Sequence, residues 1–403
     1  MIEYAIAIFL GLIIGCITGL TPGIHINLVS AFLLGISGFL LSSFGISGLV
    51  LAVFLICVAI THVFVDFIPS IFLGAPAQDD TALAILPGHE MLARGEGYKA
   101  VILSFYGCLI GIFMLLFFIP LFLIFLPSVY ALSERIMPLV LLLISFFLIY
   151  FEKSSKLWAF LIFIFSGLLG LVTFNLGVRE SLLPLFTGLF GISSLITSVN
   201  QKTLIPLQKK FHLKDILPSK LSIKKIFFAS SISAPLCSFL PGMGSGQAAV
   251  MSSQIVSDFE REEFLILLGA LNILILGLSF PTFFLIDKAR TGIALAVGKI
   301  IPFDLNIVFL ISFLFLFCGF FSFLFSIFLA QLFSKIISVV NYSKLSFCII
   351  LFLIFLNIYL CGIYGLFILV CSTFLGLTCI YSGVRRTHLM GCLILPAFLF
   401  ALF

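Results

Sequence analysis

Apolar residues run through this chain in stretches long enough to cross a bilayer, broken at a few places by Pro, Gly and charged residues. Hydrocarbon about 30 Å thick requires about 20 helical residues per crossing. The first half reads as a span from Tyr4 to Leu20, a break at Thr21-Pro22-Gly23, an apolar run from about Leu28 to Leu41, and a span over Leu49–Val65. From Asp66 to Gly97 the pattern changes to three Pro and four Gly around the adjacent Asp79 and Asp80, with apolar runs too short to cross alone. A re-entrant pair of half-helices fits that segment. Long spans follow at about Ala100–Ile124, Ile136–Tyr150, Leu157–Thr173 and Leu182–Val199.

The second half starts with an apolar run at Ile226, breaks at Pro241-Gly242 and passes a charged turn from Asp258 to Glu263. It continues through a span up to about Phe280, Pro281, the cluster Asp287 to Gly292, and long runs at about Leu305–Phe333 and Leu345–Leu377. The last of these reads as two short spans meeting at Gly362, and the apolar tail after Arg385-Arg386 is short for a full span. Pro22-Gly23 thus returns as Pro241-Gly242, 219 residues later, each pair followed by small and polar residues. Unwound backbone that lines a cavity has this signature, because lipid offers its amides no partner. The pattern predicts an all-α polytopic membrane protein of about 10–12 transmembrane or half-membrane helices. Two internally related halves are expected, with Pro-Gly-broken helices and re-entrant hairpins; inverted and parallel repeats both remain open.

Composition sharpens the class. Of 403 residues, 62% are hydrophobic and 9% charged, with mean hydropathy +1.35, whereas a soluble surface needs roughly 25–35% charged residues. A multi-pass protein of the cell membrane is therefore expected. The net charge of +5 is concentrated in residues 200–225, where seven Lys face one Asp. That concentration argues for a cytoplasmic linker between a membrane half at 1–199 and another at 226–403, not for nucleic-acid binding. Ten Cys are scattered through apolar runs without metal-ligand spacing and read as small hydrophobes, so no metal site is expected. The first apolar run follows Met1, Ile2 and Glu3 without a basic region, so no cleavable signal peptide is expected. GxSxG, HExxH, Walker A and GxGxxG patterns are missing, which argues against an enzyme and leaves no cofactor or ATP to invoke. Active transport would then draw on a Na+ or H+ gradient, or on a separate subunit.

The candidate chemistry gathers at the breaks. Gly11, Gly15 and Gly19 recur every four residues and suit close helix packing, while Gly23 beside Pro22 sits where amides leave the helical ladder. A half-helix starting after either break would aim its positive end at the membrane midplane, where an anion could bind. The substrate-binding candidates are Thr21, Pro22, Gly23, His25 and Asn27 in the first half, and Pro241, Gly242, Gly244, Ser245, Gly246 and Gln247 in the second. Alternatively, Asn27, Ser245 and Gln247 merely satisfy those amides, and His25 bonds to a neighbouring carbonyl. Arg290, with Lys288, would supply positive charge from the second half.

A carboxylate within the bilayer costs at least about 2.5–3.5 kcal/mol, which makes it a functional candidate by default. Asp66, Gln78, Asp79, Asp80 and Thr81 are the ion-coupling candidates, for sodium or a proton. Adjacent Asp79 and Asp80 cannot share one helical face, so at most one points at a given site. The bland reading is a carboxylate capping a helix that starts at Thr81. His62 and Asp66, four residues apart, are placed to form a hydrogen-bonded pair.

Three stretches, GLIIGCITGLTPGIHINLVSAFLLG, IFLGAPAQDDTALAILPGHEMLARGEGYKA and SFLPGMGSGQAAVMSSQIV, together resemble the TctA-like large permease family of the tripartite tricarboxylate transporters. The resemblance covers about residues 5–100 and 226–300. It implies a secondary uptake permease for carboxylates, coupled to a cation, working with a small membrane subunit and an extracytoplasmic binding protein. By motif, the two Pro-Gly turns would form half-site loops and Ala75 to Leu83 the adjoining hairpin. Asp79-Asp80 stands where small or hydroxyl residues are more usual in the family. Phe280-Pro281-Thr282-Phe283-Phe284 stands where a Gly-Pro-Ser-rich loop is expected, and its aromatics would crowd a carboxylate site. These departures point to a divergent branch, an archaeal one among the readings. A translocase for a polyprenyl phosphate, whose cargo is a lipid-linked phosphate, and a non-transporting membrane scaffold are the alternatives; a homodimer is left open.

Overall fold

The structure, a computed structural model of the whole chain, describes every residue except Met1, Gly23, Ala77, Arg179, residues 201–204, Pro241, Gly242, Ser257, Asp258 and Phe403. All regular structure among the described residues is helical. The first half contains α1 (Ile2–Leu20), α2 (Ile26–Phe44), α3 (Gly48–Val65), α4 (Phe67–Leu73), α5 (Asp79–Ala93), α6 (Gly97–Tyr150), α7 (Lys156–Asn175) and α8 (Leu182–Phe186). A π-helical turn, Thr187–Ile192, joins α8 to α9 (Ser193–Asn200). The second half contains α10 (Lys220–Phe239), α11 (Ser245–Ile255), α12 (Arg261–Ile286), α13 (Gly292–Ile300), α14 (Leu305–Ile337), α15 (Tyr342–Tyr381) and α16 (Gly391–Leu402). Among the described residues, nine segments are long and apolar enough to cross a membrane.

The spans predicted at 100–124 and 136–150 are one uninterrupted helix. α6 runs for 54 residues, about 81 Å at 1.5 Å per residue, and so carries two apolar parts, Gly97–Tyr130 and Arg135–Tyr150. Its intervening sequence contains no Gly and several strong helix formers, so the three prolines inside it do not end it. α15 meets the opposite fate: Gly362 adopts φ 65°, ψ −160°, a conformation open to glycine, and divides the helix as its sequence suggested. Lys220, Lys224 and Lys225 of the Lys-rich segment belong to the first turns of α10, so the irregular connection ends at Ser219.

The interior is organised around α3 and α12, the most deeply buried of the spans. α12 lies against α6 backbone to backbone: a Cβ at Gly107 would sit 2.0 Å from the Ile266 carbonyl, and one at Gly269 2.0 Å from that of Ser104. α1 uses its glycine stripe in the same way on α3, where a Cβ at Gly15 would lie 2.5 Å from the Thr61 Cβ. Without a hydrophobic driving force in lipid, such close approach supplies the dispersion contacts that hold helices together.

The two halves run in opposite directions. α2 and α13 pack together, and Gly48, just beyond α2, approaches the Ile300 carbonyl at the end of α13. α5 and α11 pack together and end beside the linker: Glu90 pairs with Arg261 just past α11, and the Gly97 amide donates to Gln208 Oε1. α14 starts near the first group and ends at Ser338, which accepts from the Gln208 amide; its 33 residues span about 50 Å. After each break the first helix, α2 or α11, therefore heads for the opposite side from its counterpart, and so do α5 and α13. This is the inverted repeat, one of the two arrangements the sequence left open.

Candidate functional site

The break in the first half ends α1 at Leu20, and His25 takes the N-cap of α2 in an extended conformation. Its Nδ1 accepts from the Asn27 amide at 3.0 Å, which places the ring proton of the neutral imidazole on Nε2. α5 starts at Asp79, with Gln78 as N-cap and the Gln78 amide donating to Thr81 Oγ1 at 3.0 Å. α11 starts at Ser245 behind Gly244, whose amide donates to Gln247 Oε1 at 2.8 Å. α13 starts at Gly292 behind Thr291, whose hydroxyl accepts from the Ala294 amide and meets Ser279 Oγ at 2.8 Å.

These four helix starts are stitched crosswise. Asn27 Oδ1 accepts from the Gly292 amide at 2.8 Å. Asp79 Oδ2 accepts from the Gly246 amide at 2.7 Å, and Asp79 Oδ1 from Ser245 Oγ at 3.2 Å. Asn27 and Gly246 lie at the same distance beyond their Pro-Gly pairs, so the two bonds are counterparts with the acceptor and donor exchanged. In both, the first half supplies the side chain and the second half a glycine amide.

All four N-caps, His25, Gln78, Gly244 and Thr291, line one cavity of about 430 Å³. Arg290 lines it too, with Asp79, Ser245, Gln247 and Asn272. Each helix start presents about half a positive charge, worth roughly 0.3–1 kcal/mol to a nearby anion and more when partly buried. The Asp79 carboxylate is answered by the starts of its own helix and of α11, while the starts of α2 and α13 and the Arg290 guanidinium add further positive field. An apolar wall of Phe174, Phe186, Pro396 and Phe400 completes the cavity and keeps its dielectric low.

Behind Gln78 lies a buried acidic cluster. Gln78 Nε2 donates to Asp66 Oδ2 at 2.9 Å, and Asp80 Oδ1 accepts from the Thr81 amide at 2.8 Å. Asp66 and Asp80 are both fully buried, and Asp66 Oδ1, Asp80 Oδ2 and His62 Nε2 have no hydrogen-bond partner among the described residues. Among these residues no group of three or more His, Cys, Asp or Glu has the arrangement to hold a metal ion.

A family model, that of the TctA family of tripartite tricarboxylate transporters, matches residues 5–391. The chain belongs to the TctA family. It is a transporter family and not an enzyme family, and with nine apolar helical segments among the described residues the chain is a multi-pass integral membrane protein. The TctA match extends through the middle of the chain, well beyond the two regions whose motifs carry the resemblance. An uncharacterised protein of Methanocaldococcus jannaschii is 29% identical over 407 residues, covering 98% of each chain. That relative is archaeal, in keeping with a divergent archaeal branch of the TctA family. No solved structure matches the chain.

Within this TctA-family fold, His25, Asn27, Gly244, Ser245, Gly246, Gln247 and Arg290 gather at one place. Thr21 is spent on its own helix, donating to the Ile17 carbonyl at 2.7 Å, and neither it nor Pro22 lines the cavity. Gly23, Pro241 and Gly242 lie outside the described residues. Several expectations are corrected. The amides of Asn27, Gly244, Gly246 and Gly292 are occupied by protein acceptors and are not the bare backbone donors expected after the breaks. The helix of the acidic segment starts at Asp79, not Thr81, and Asp79 bonds across to the other half. His62 and Asp66 do not pair: His62 Nδ1 meets Thr18 Oγ1 at 3.1 Å and Asp66 turns to Gln78. Lys288 sits over the Tyr130 ring and donates to its hydroxyl, away from the cavity. The Phe280 and Phe283 rings pack on Phe303 inside the second half, because α12 continues through Pro281 instead of looping there.

Asn272 and Thr291 join the site without a motif to announce them. Asn272 is an amide in the middle of the apolar α12, and its Nδ2 is buried without a partner among the described residues where it borders the cavity. The same membrane cost that singles out Asp79 applies to it, and is the signal by which a sequence reading finds it.

Proposed function

We propose that this chain is the membrane permease of a secondary carboxylate transporter, and that a di- or tricarboxylate binds in the 430 Å³ cavity. The convergence of four helix N-termini and Arg290 on that cavity carries the reading. His25 Nε2, Asn272 Nδ2 and Arg290 are donors to the carboxylate oxygens, and the phenylalanine wall excludes water around them. The acidic cluster of Asp66, Gln78 and Asp80 is the coupling site for Na+ or H+, joined to the substrate through the Gln78–Asp79 start of α5. Its orphaned carboxylate oxygens support this, since a buried charge without a partner is costly until a cation or proton arrives. The tripartite family points to a small membrane subunit and an extracytoplasmic binding protein as partners. The Lys excess of residues 200–225 supports a cytoplasmic linker, as for a permease of the cell membrane.

Proteoliposome flux tests the reading. Labelled citrate and succinate should enter under a Na+ or H+ gradient and stall when the gradient is collapsed, with binding protein and small subunit supplied. Movement of a short-chain polyprenyl phosphate in place of both acids would overturn it.

A further inference from the structure

A second cavity, of about 880 Å³, lies on the linker side of the molecule. α5 and α11 are walls common to both cavities. Their first residues, Asp79 and Ser245, border the smaller one, and their last turns, with Glu90 and Gln254, border the larger. α11 has 11 residues, so about 16 Å of helix separates the two. The C-terminal segment is a third common wall, with Arg385, Arg386 and Thr387 on the larger cavity and Pro396 and Phe400 on the smaller.

The charges around the larger cavity do not cancel. Glu90 is taken by Arg261, and Glu152 by Arg385 and His388. Arg386 is 8% exposed, yet its hydrogen bonds go from Nη1 to the Phe190 carbonyl and to Ser194 Oγ, both neutral acceptors. Among the described residues no carboxylate pairs with it. A guanidinium taken out of water without an opposite charge is costly unless an anion joins it. Two further donors border the same space: Gln254 Nε2 and Thr387 Oγ1 are buried and have no partner among the described residues.

We propose that the larger cavity is a second anion station, in which Arg386, Gln254 and Thr387 hold a carboxylate that has left the first. It rests on the reading of the smaller cavity as a carboxylate site. The two stations are unequal by construction. The first faces helix N-termini and the second faces the C-terminal ends of α5 and α11, whose partial negative charge opposes an anion. Arg386 offsets those ends, so the second station binds more weakly and serves release toward the linker side.

The test is equilibrium binding of labelled citrate, succinate and inorganic phosphate to the full chain in nanodiscs, made with neutral lipid or with added phosphatidylglycerol. Citrate or succinate should fill two classes of site. Arg386→Gln should remove the weaker class, a loss of about tenfold or more in its affinity, and leave the tighter class unchanged. Arg386→Lys, which keeps the charge, should retain both classes, and it guards against a folding defect in the glutamine variant. Arg290→Gln should remove the tighter class alone. Two classes surviving in Arg386→Gln, or Arg386→Lys losing the class like Arg386→Gln, overturns the second station. A single class abolished by Arg290→Gln overturns it while sparing the reading of the first cavity. Absence of any carboxylate binding sinks the first reading, and the second station is then upheld only by phosphate or phosphatidylglycerol binding that Arg386→Gln abolishes.

Discussion

Asp79 of the first half and Gly246 of the second meet at 2.7 Å, carboxylate to amide, where the starts of α5 and α11 converge. Its counterpart joins Asn27 to Gly292 at 2.8 Å. Each bond ties a helix that runs to one side of the molecule to a helix of the opposite half that runs the same way. The pairs α2–α13 and α5–α11 therefore each join one helix of either half, and their starts come together at the cavity.

Gly246→Ala tests the tightness of that joint. A Cβ there would lie 2.7 Å from Asp79 Oδ2 and 2.9 Å from its Cβ, so the carboxylate must move and the bond lengthen. Carboxylate flux in proteoliposomes should fall by roughly tenfold or more, the order expected when a positioned site shifts by about an ångström. Gly35→Ala, with nothing within 4 Å of the new methyl, should transport normally.

Asp79→Ala leaves the Gly246 amide and the Ser245 hydroxyl without their acceptor, a cost of about 1–3 kcal/mol in a buried setting. Thermal unfolding in nanodiscs should show the loss, and Asp79→Asn, which can still accept from the Gly246 amide, should recover most of it. Equal destabilisation by both variants would show that the charge, and not the hydrogen bond, holds the joint.

Asn272→Leu replaces a buried amide, whose Nδ2 has no partner among the described residues, by an apolar side chain of similar size. Removing an unsatisfied donor is neutral or stabilising, so the melting temperature should hold or rise while the half-saturating carboxylate concentration rises about tenfold. An unchanged half-saturation would remove Asn272 from the site.

Glu152, in the turn between α6 and α7, anchors the C-terminal segment that walls both cavities. Burial opposes its charge, but hydrogen bonds from the Ser154 amide, His388 and Arg385 outweigh that and hold its carboxyl down at about 2. A carboxyl lowered on folding stabilises above its unfolded value, about 4.3, and that contribution is lost as pH falls through the folded value. The melting temperature of Glu152→Gln should lie below that of the unaltered chain at pH 6, and the gap should close between about pH 4.3 and 2. A gap independent of pH would assign the effect to packing.

Much of this arrangement is legible in the chain. Apolar runs give the spans, because hydrocarbon sets their length, and the Pro-Gly pairs give the half-helices, because proline removes an amide from the ladder. The small and polar residues after each pair mark the cavity lining. What one sequence does not show is pairing across the halves. Nothing in the local pattern of Asp79 tells that its carboxylate serves the Gly246 amide and not its own helix, since both are N-terminal amides within a few residues of a glycine or an aspartate. Arg386 reads as an ordinary basic residue flanking a span, and only the fold puts it inside. Its partner, the Phe190 carbonyl, belongs to a π-turn that no periodicity announces.

The most direct measurement is an experimental structure of the full chain in a lipid nanodisc with saturating citrate or succinate, whichever the flux assay selects. Density for the acid is expected in the smaller cavity, in contact with Arg290 and Asn272 and within reach of the starts of α2, α5, α11 and α13. Density for a transported acid elsewhere in the molecule, with that cavity empty or the four helix starts apart, would contradict it.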